Sequence, residues 1–411
     1  MTSFFDDKIS ERLGGTGFGK STAIYKFEII KRAKAAARKA HPDMALIDMG
    51  VGEPDWPADD IVVKALAEEA GKSENRWYAD NGIIEFQEEA ARYLEKVYGL
   101  SGLIPSEQIL HGIGSKPVLA MLPLCFINPG DILLTTVPGY PVTATYTRYL
   151  GGEVFNLPLL ESNSFLPDFK IIPPEVLKRA KMLYLNYPNN PTGAVADTAF
   201  FNRVVDFALK NNIVVIHDAA YAALTYDGYK PLSFLSADGA MDVGLEVHSL
   251  SKAFNMTGWR IGFICGNSKA VKACATVKDN TDSGQFRAIQ KAAVRALRHT
   301  EITERTITKY SRRFNLLTEA LNEAGFDASK PKGSFYCYVK APAGTENGSL
   351  FSSASDFSEF LIHEALISTV PWDDAGKYIR FSVTFEADTE EMEAEVINEM
   401  KERLKRLRLV F

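Results

Sequence analysis

Between about residues 107 and 267 the chain alternates short apolar runs with helix-length segments, and this alternation restricts the fold more than any other feature. The runs are Gln108–Ile113, Ile132–Val137, Val154–Leu159, Met182–Tyr187, Ile213–His217, Leu245–His248 and Ile261–Cys265. Segments 116–127, 141–150, 174–180 and 197–210 lie between them and read as helices. Strands without polar alternation are buried on both faces, and helical crossovers make their neighbours parallel. The expectation is an α/β fold with a mostly parallel seven-stranded sheet. The last two runs are too close for a helical crossover, so one antiparallel strand is expected there.

The flanks extend this plan. Residues 23–40, 61–70 and 85–98 have helical periodicity, and 47–51 reads as a short strand. Helices follow the sheet at 268–280, 286–299 and 301–324. Then come a strand at 335–339, a helix at 354–365, a strand at 378–385 and a terminal helix at 389–407, with a flexible loop expected at 341–353. At 411 residues the chain exceeds one ordinary domain. We expect an N-terminal arm and part of a small domain over 1–55, a large domain over 56–300, and the rest of the small domain over 301–411. The N- and C-terminal segments thus form a smaller α/β domain together.

Composition narrows the function. Apolar residues make up 46% and charged ones 24%, as in a soluble globular protein. A formal charge of −6 and the lack of a long basic run argue against nucleic acid or a membrane surface as partner. The strongest apolar run, Val118–Ile127, is interrupted by Pro123 and is too short to cross a bilayer. Cys125, Cys265, Cys274 and Cys337 share no metal or disulfide spacing; Cys125 and Cys265 read as small buried hydrophobes, and no metal site is expected. The first residues lack a charged-then-apolar signal pattern, so a reducing cytoplasm is the expectation. Gly14–Ser21 fits the P-loop pattern G-x-x-x-x-G-K-[ST]. A P-loop follows a buried strand, however, and the charged stretch Asp6–Arg12 is not one, so the segment reads as an arm or gate.

Ligands of an α/β sheet bind beyond the carboxyl ends of its strands, so the polar residues there are the candidates. Ser115 and Lys116 open a helix and suit an anion, or Ser115 is a plain N-cap. Tyr140 can stack on a flat ring or serve as a turn aromatic. Pro188-Asn189-Asn190-Pro191-Thr192-Gly193 is a rigid turn that can hold an amide in place, or a turn chosen for its geometry alone. Asp218, followed by Tyr221, ends a buried run, where a carboxylate is costly unless paired. His217 faces the other way and reads as a core histidine. In Ser249-Leu250-Ser251-Lys252 the lysine sits among apolar neighbours, with Arg260 eight residues on. Burial favours a neutral amine, a nucleophile toward carbonyls; the alternative is a surface lysine in a serine-rich loop.

These residues resemble a known family, the fold-type I pyridoxal-phosphate enzymes of the class I/II aminotransferase group. The resemblance rests on Gly52-Glu53-Pro54, Asn189–Gly193, Asp218-Ala219-Ala220-Tyr221, Ser249–Lys252 and Gly258-Trp259-Arg260-Ile261-Gly262. Gly114-Ser115-Lys116, Pro138–Val142, Phe165–Asp168 and Asp279–Gly284 make the chain most similar to LL-diaminopimelate aminotransferases. The resemblance implies pyridoxal 5'-phosphate held by Lys252, with Asp218 on the pyridine nitrogen and both residues catalytic. It implies Asn190 and Tyr221 on the phenolic oxygen, Tyr140 against the ring, and Ser115, Lys116, Ser249, Ser251 and Arg260 at the phosphate. Tyr78 would reach in from a neighbouring subunit of a homodimer with shared active sites. Arg380 would take the substrate carboxylate, and Tyr25, Gly52, Lys116, Tyr140, Asn190 and Asn280 fall at positions that touch substrate or cofactor. Asp80 or Asn81 would meet the distal end of the substrate. The implied substrates are an amino acid, diaminopimelate, and a 2-oxo acid, 2-oxoglutarate. Related enzymes use aspartate, alanine or other amino acids, or are β-elimination lyases.

Overall fold

The structure, a computed structural model, describes residues 4–20 and 26–411. Its centre is a seven-stranded sheet: β1 (Ile109–Gly112), β2 (Ile132–Val137), β3 (Glu153–Pro158), β4 (Ala180–Asn186), β5 (Val214–Asp218), β6 (Gly244–Ser249) and β7 (Gly262–Gly266). The spatial order is β1-β7-β6-β5-β4-β2-β3. Only β7 runs against its neighbours, pairing antiparallel with both β1 and β6. Side chains of one strand alternate between two cores. Leu183 and Leu185 of β4 enter one, while Met182 and Tyr184 enter the other. Double burial is why these strands read as apolar runs without alternation.

The second layer is made from both ends of the chain. β8 (Tyr336–Lys340), β9 (Val370–Trp372) and β10 (Tyr378–Ser382) form an antiparallel sheet in the order β9-β10-β8. Ile47 and Asp48 pair in parallel with Ile367 and Ser368, which ties the N-terminal segment to the C-terminal one. The helix Lys26–Ala40 contributes Ile30 and Ala37 to a small core with Ile362, Val370 and Trp372.

Several local expectations change. Segment 341–353 is not all loop: Gly344 and Thr345 pair with Leu409 and Val410 at the C-terminus. The helix expected over 174–180 is one turn, Pro174–Leu177, because β4 already begins at Ala180. Strands at 367–368 and 370–372 were not foreseen; β9 starts two residues after Ser368 and includes Pro371. Cys125 is half-buried rather than buried, with its Sγ 3.8 Å from that of Cys274. Glu11–Leu13 and Gly15–Gly17 are short 3-10 turns with no strand before them among the described residues, unlike a P-loop; Ser21 and Tyr25 lie outside those residues.

Candidate active site

The carboxyl ends of β1, β2, β4, β5 and β6 open into a cavity of about 420 Å³, closed on the other side by Gly50–Glu53, Tyr336, Trp372 and Arg380. Lys252 stands on a single helical turn, Leu250–Ala253, directly after β6. Ser249 caps that turn, its hydroxyl accepting from the Ser251 N–H. The Lys252 Nζ donates to the Gly52 carbonyl at 2.6 Å. Burial pushes its ammonium down from the ordinary 10.5 to about 8; Arg260 and Arg380 add to this, and Glu53 and Asp218 oppose it. Desolvation and like charge both disfavour the protonated amine.

Asp218 ends β5 and is buried. Its Oδ2 accepts from the Tyr184 hydroxyl at 2.9 Å and its Oδ1 from the Ala220 N–H at 3.2 Å. Burial pushes its carboxyl up, and Tyr184, Ala220, His217 and His248 pull it back. His217 does face the opposite core, between Glu246 at 2.8 Å and the Tyr187 carbonyl at 3.0 Å. Glu246, His248 and Cys265 also converge there, but the Glu246 oxygens already accept from His217, His248, Ser233 and the Phe234 N–H.

One end of the cavity is an anion cradle. Ser115 and Lys116 begin the helix Ser115–Phe126, whose free N–H groups face this end. Ser249, Ser251, Thr257 and Arg260 complete the lining. Arg260 Nη1 is fixed by the Thr257 carbonyl at 2.7 Å and lies 3.4 Å from the Ser251 hydroxyl. A side chain at Gly114 would occupy the space of the Arg260 guanidinium.

At the other end Arg380, on β10, is buried. Its Nη1 donates to Asn190 Oδ1 at 2.8 Å and its Nη2 to the Gly50 carbonyl at 3.1 Å. Its Nε has no hydrogen-bond partner among the described residues. The two adjacent asparagines divide their work. Asn189 is fully buried and braces the turn through Asn186 and Thr192, while Asn190 faces the cavity. Tyr140 and Tyr221 line the walls between the two ends.

The sequence model of the family described as aminotransferase class I and II matches residues 45–398. The chain belongs to that family. This aminotransferase is 57% identical to the LL-diaminopimelate aminotransferase of Methanocaldococcus jannaschii and 56% identical to that of Methanococcus maripaludis, each match covering 100% of both chains. Among solved structures, substrate-bound BacF from Bacillus subtilis matches with a TM-score of 0.86 at 34% identity, covering 95% of this chain and 97% of that one.

The family's cofactor is pyridoxal phosphate, and the cavity suits it on two grounds. The cradle offers hydroxyls, a guanidinium and a helix N-terminus where glycine leaves room, which is phosphate chemistry. Asp218, moreover, is a buried carboxylate bonded only to neutral donors among the described residues, so a cationic ring nitrogen would complete its pairing.

Not every expected site residue enters this aminotransferase's cavity. Tyr78 is 78% exposed, held through its carbonyl by Arg287. Asn280 is exposed and caps its own helix through the Thr276 carbonyl. Asn81 binds Asp279 at 2.8 Å, and the Asp80 carbonyl accepts from Lys278, which fastens the two loops together away from the lining. The sequence reading had passed over Tyr184, Tyr336 and Trp372. The β-branched residues Ile367, Thr369 and Val370 were a usable sign of the strand that carries Trp372. Nothing local marks Tyr184 or Tyr336, because each acts through a partner distant in sequence.

Proposed function

We propose that the protein, with pyridoxal 5'-phosphate, reversibly transfers an amino group between LL-diaminopimelate and 2-oxoglutarate; the oxo product closes to tetrahydrodipicolinate with loss of water, and the reverse direction, from tetrahydrodipicolinate, water and glutamate to diaminopimelate, is the step toward lysine. The observation that carries this reading is the buried Lys252 amine, its ammonium held below its ordinary range, in one cavity with Asp218, an anion cradle and Arg380. The choice of diaminopimelate follows the two full-length relatives.

In this reading Ser115, Lys116, Ser249, Ser251 and Arg260 hold the phosphate, Tyr140 covers the ring, and Asn190 and Tyr221 bond its phenolic oxygen. When bound, the cofactor supplies a carbonyl for amines and a ring that accepts electrons. Asp218 would pair with the ring nitrogen, and as a carboxylate it would favour that nitrogen's protonated form. Arg380 receives the substrate α-carboxylate in its planar fork. Lys252 Nζ then takes the proton from the substrate α-carbon, which a neutral amine does and an ammonium does not. A homodimer in which Tyr78 and Asn280 serve the partner's cavity accounts for their exposure here; Tyr25 and Gly52 remain substrate candidates. The proposed location is the cytoplasm; no helix among the described residues is long and apolar enough to cross a membrane.

The test is an amino-donor panel with 2-oxoglutarate, including LL- and meso-diaminopimelate, aspartate, alanine and aromatic amino acids. Turnover is expected to be greatest with LL-diaminopimelate. A preference for another donor overturns the substrate, and pyruvate and ammonia without glutamate overturn transamination.

A further inference from the structure

Tyr336, the first residue of β8, is buried and touches three parts of the cavity at once. In the register Ser382 lies opposite Tyr336 and Arg380 opposite Tyr338, so Arg380 and Tyr336 are diagonal neighbours on one face. The Arg380 guanidinium lies over the Tyr336 ring, 3.9 Å from its centroid. The Tyr336 hydroxyl is 3.3 Å from that of Tyr221. It also approaches the segment that receives Lys252, since a Cβ at Gly52 would lie 3.2 Å from it.

We propose that Tyr336 is a positioning residue that couples the carboxylate-binding end of the cavity to the Tyr221 end. It rests on the roles assigned above to Arg380 and Tyr221. The ring supports one face of the guanidinium, while Asn190 and Gly50 hold two of its edges. The fork is thereby fixed before a carboxylate arrives, and each Nη keeps a second hydrogen to donate. The hydroxyl has a different task. Either tyrosine can donate across the 3.3 Å contact. With Tyr336 donating, the Tyr221 oxygen is satisfied and its single hydrogen remains for an acceptor in the cavity. Ring and hydroxyl therefore act on different ends, and two substitutions separate them.

The experiment uses holoenzyme and glutarate, a dicarboxylate without an amino group, with binding measured by calorimetry and cofactor absorbance followed against pH. Tyr336→Phe keeps the ring. Its glutarate affinity is expected to stay within about twofold, and its absorbance midpoint to move upward because Tyr221, no longer accepting a hydrogen bond from Tyr336, is a weaker donor to an anionic phenolic oxygen. Tyr336→Leu removes the ring as well, and is expected to weaken glutarate about tenfold and to raise KM for amino donor and 2-oxoglutarate together. Unchanged glutarate affinity in Tyr336→Leu overturns the ring's role, and an unmoved midpoint in Tyr336→Phe overturns the hydroxyl's. Tyr336→Phe is isosteric, so it keeps the test open if the leucine variant does not fold: glutarate affinity lost with the hydroxyl alone would then overturn the ring's role. If the wild-type protein shows no cofactor band, the preceding reading fails instead.

Discussion

Arg260 occupies the space that a side chain on Gly114 would need. Gly114 has φ 76°, a left-handed conformation that glycine adopts without strain, and it directly precedes the helix that carries Ser115 and Lys116. Gly114→Ala should therefore displace the Arg260 guanidinium and strain the backbone that leads into Ser115 and Lys116, without altering the identity of any cradle residue. We expect cofactor affinity to fall about tenfold or more, the scale of one charge-assisted hydrogen bond. Titration of cofactor-free protein with pyridoxal phosphate measures it; unaltered affinity would show that Arg260 is not a phosphate ligand.

Lys252→Ala should abolish the cofactor's protein-bound absorbance and lower kcat by about 10²–10⁴-fold or more, the range for loss of a positioned acid–base group. The pH dependence has a definite sign. With its folded pKa lowered to about 8, the free Lys252 amine becomes the neutral base above that pH. Rates of pyridoxal phosphate capture by cofactor-free protein, which need the neutral amine, should rise with pH through this region. An unchanged absorbance in the alanine variant would sink the mechanism.

Asp218→Asn keeps the shape and the Tyr184 contact but removes the charge. Because that charge matters most when electrons enter the ring, kcat should fall by about 10²-fold or more while KM changes little. Steady-state kinetics over a range of donor concentrations distinguishes this from a binding defect, in which KM alone would rise.

Arg380→Ala should raise KM for amino donor and oxo acid alike by about 10–100-fold, since both present a carboxylate to the same fork. Arg380→Lys should recover only part of the loss, because an ammonium carries its donors on one atom and cannot hold Asn190 and Gly50 while presenting a planar fork to a carboxylate. Equal kinetics in the lysine variant would argue for a point charge rather than a fork.

Stability has a separate centre. Glu393 on the terminal helix binds Arg312 at 2.8 and 3.0 Å and the fully buried Arg313 at 2.9 Å, and Arg313 also binds Asp55 at 3.0 Å. Burial pushes the Glu393 carboxyl up, but the two arginines outweigh it and hold it below its ordinary 4.5. A carboxyl lowered on folding stabilises above its unfolded value, and that contribution is lost as pH falls through about 4.5 and below. Glu393→Gln should cost ~3–5 kcal/mol at neutral pH and flatten the acid limb of the stability profile. Denaturant unfolding at pH 7 and pH 4 measures both effects.

What the sequence by itself determined was local in origin. Six strands buried on both faces must read as apolar runs, and the half-exposed edge strand β3 keeps enough apolar residues to read with them, so their number and the antiparallel turn into β7 were legible. The polar residues ending those runs were legible too, because a lysine, a carboxylate or a paired asparagine beside a buried strand is costly without a purpose. Tertiary structure decided what depends on partners far apart in the chain. It set the order β1-β7-β6-β5-β4-β2-β3 and joined Ile47 to Ile367. The family resemblance points to Asn190 rather than Asn189, and the fold turns Asn190 to the cavity and Asn189 into the brace of the turn. It brought Tyr184 to Asp218 and Tyr336 to Arg380, pairs separated by 34 and 44 residues, by strand register alone. Hydrophobic periodicity reports which face of an element is buried, not what lies opposite it, and a shared cavity is made of what lies opposite.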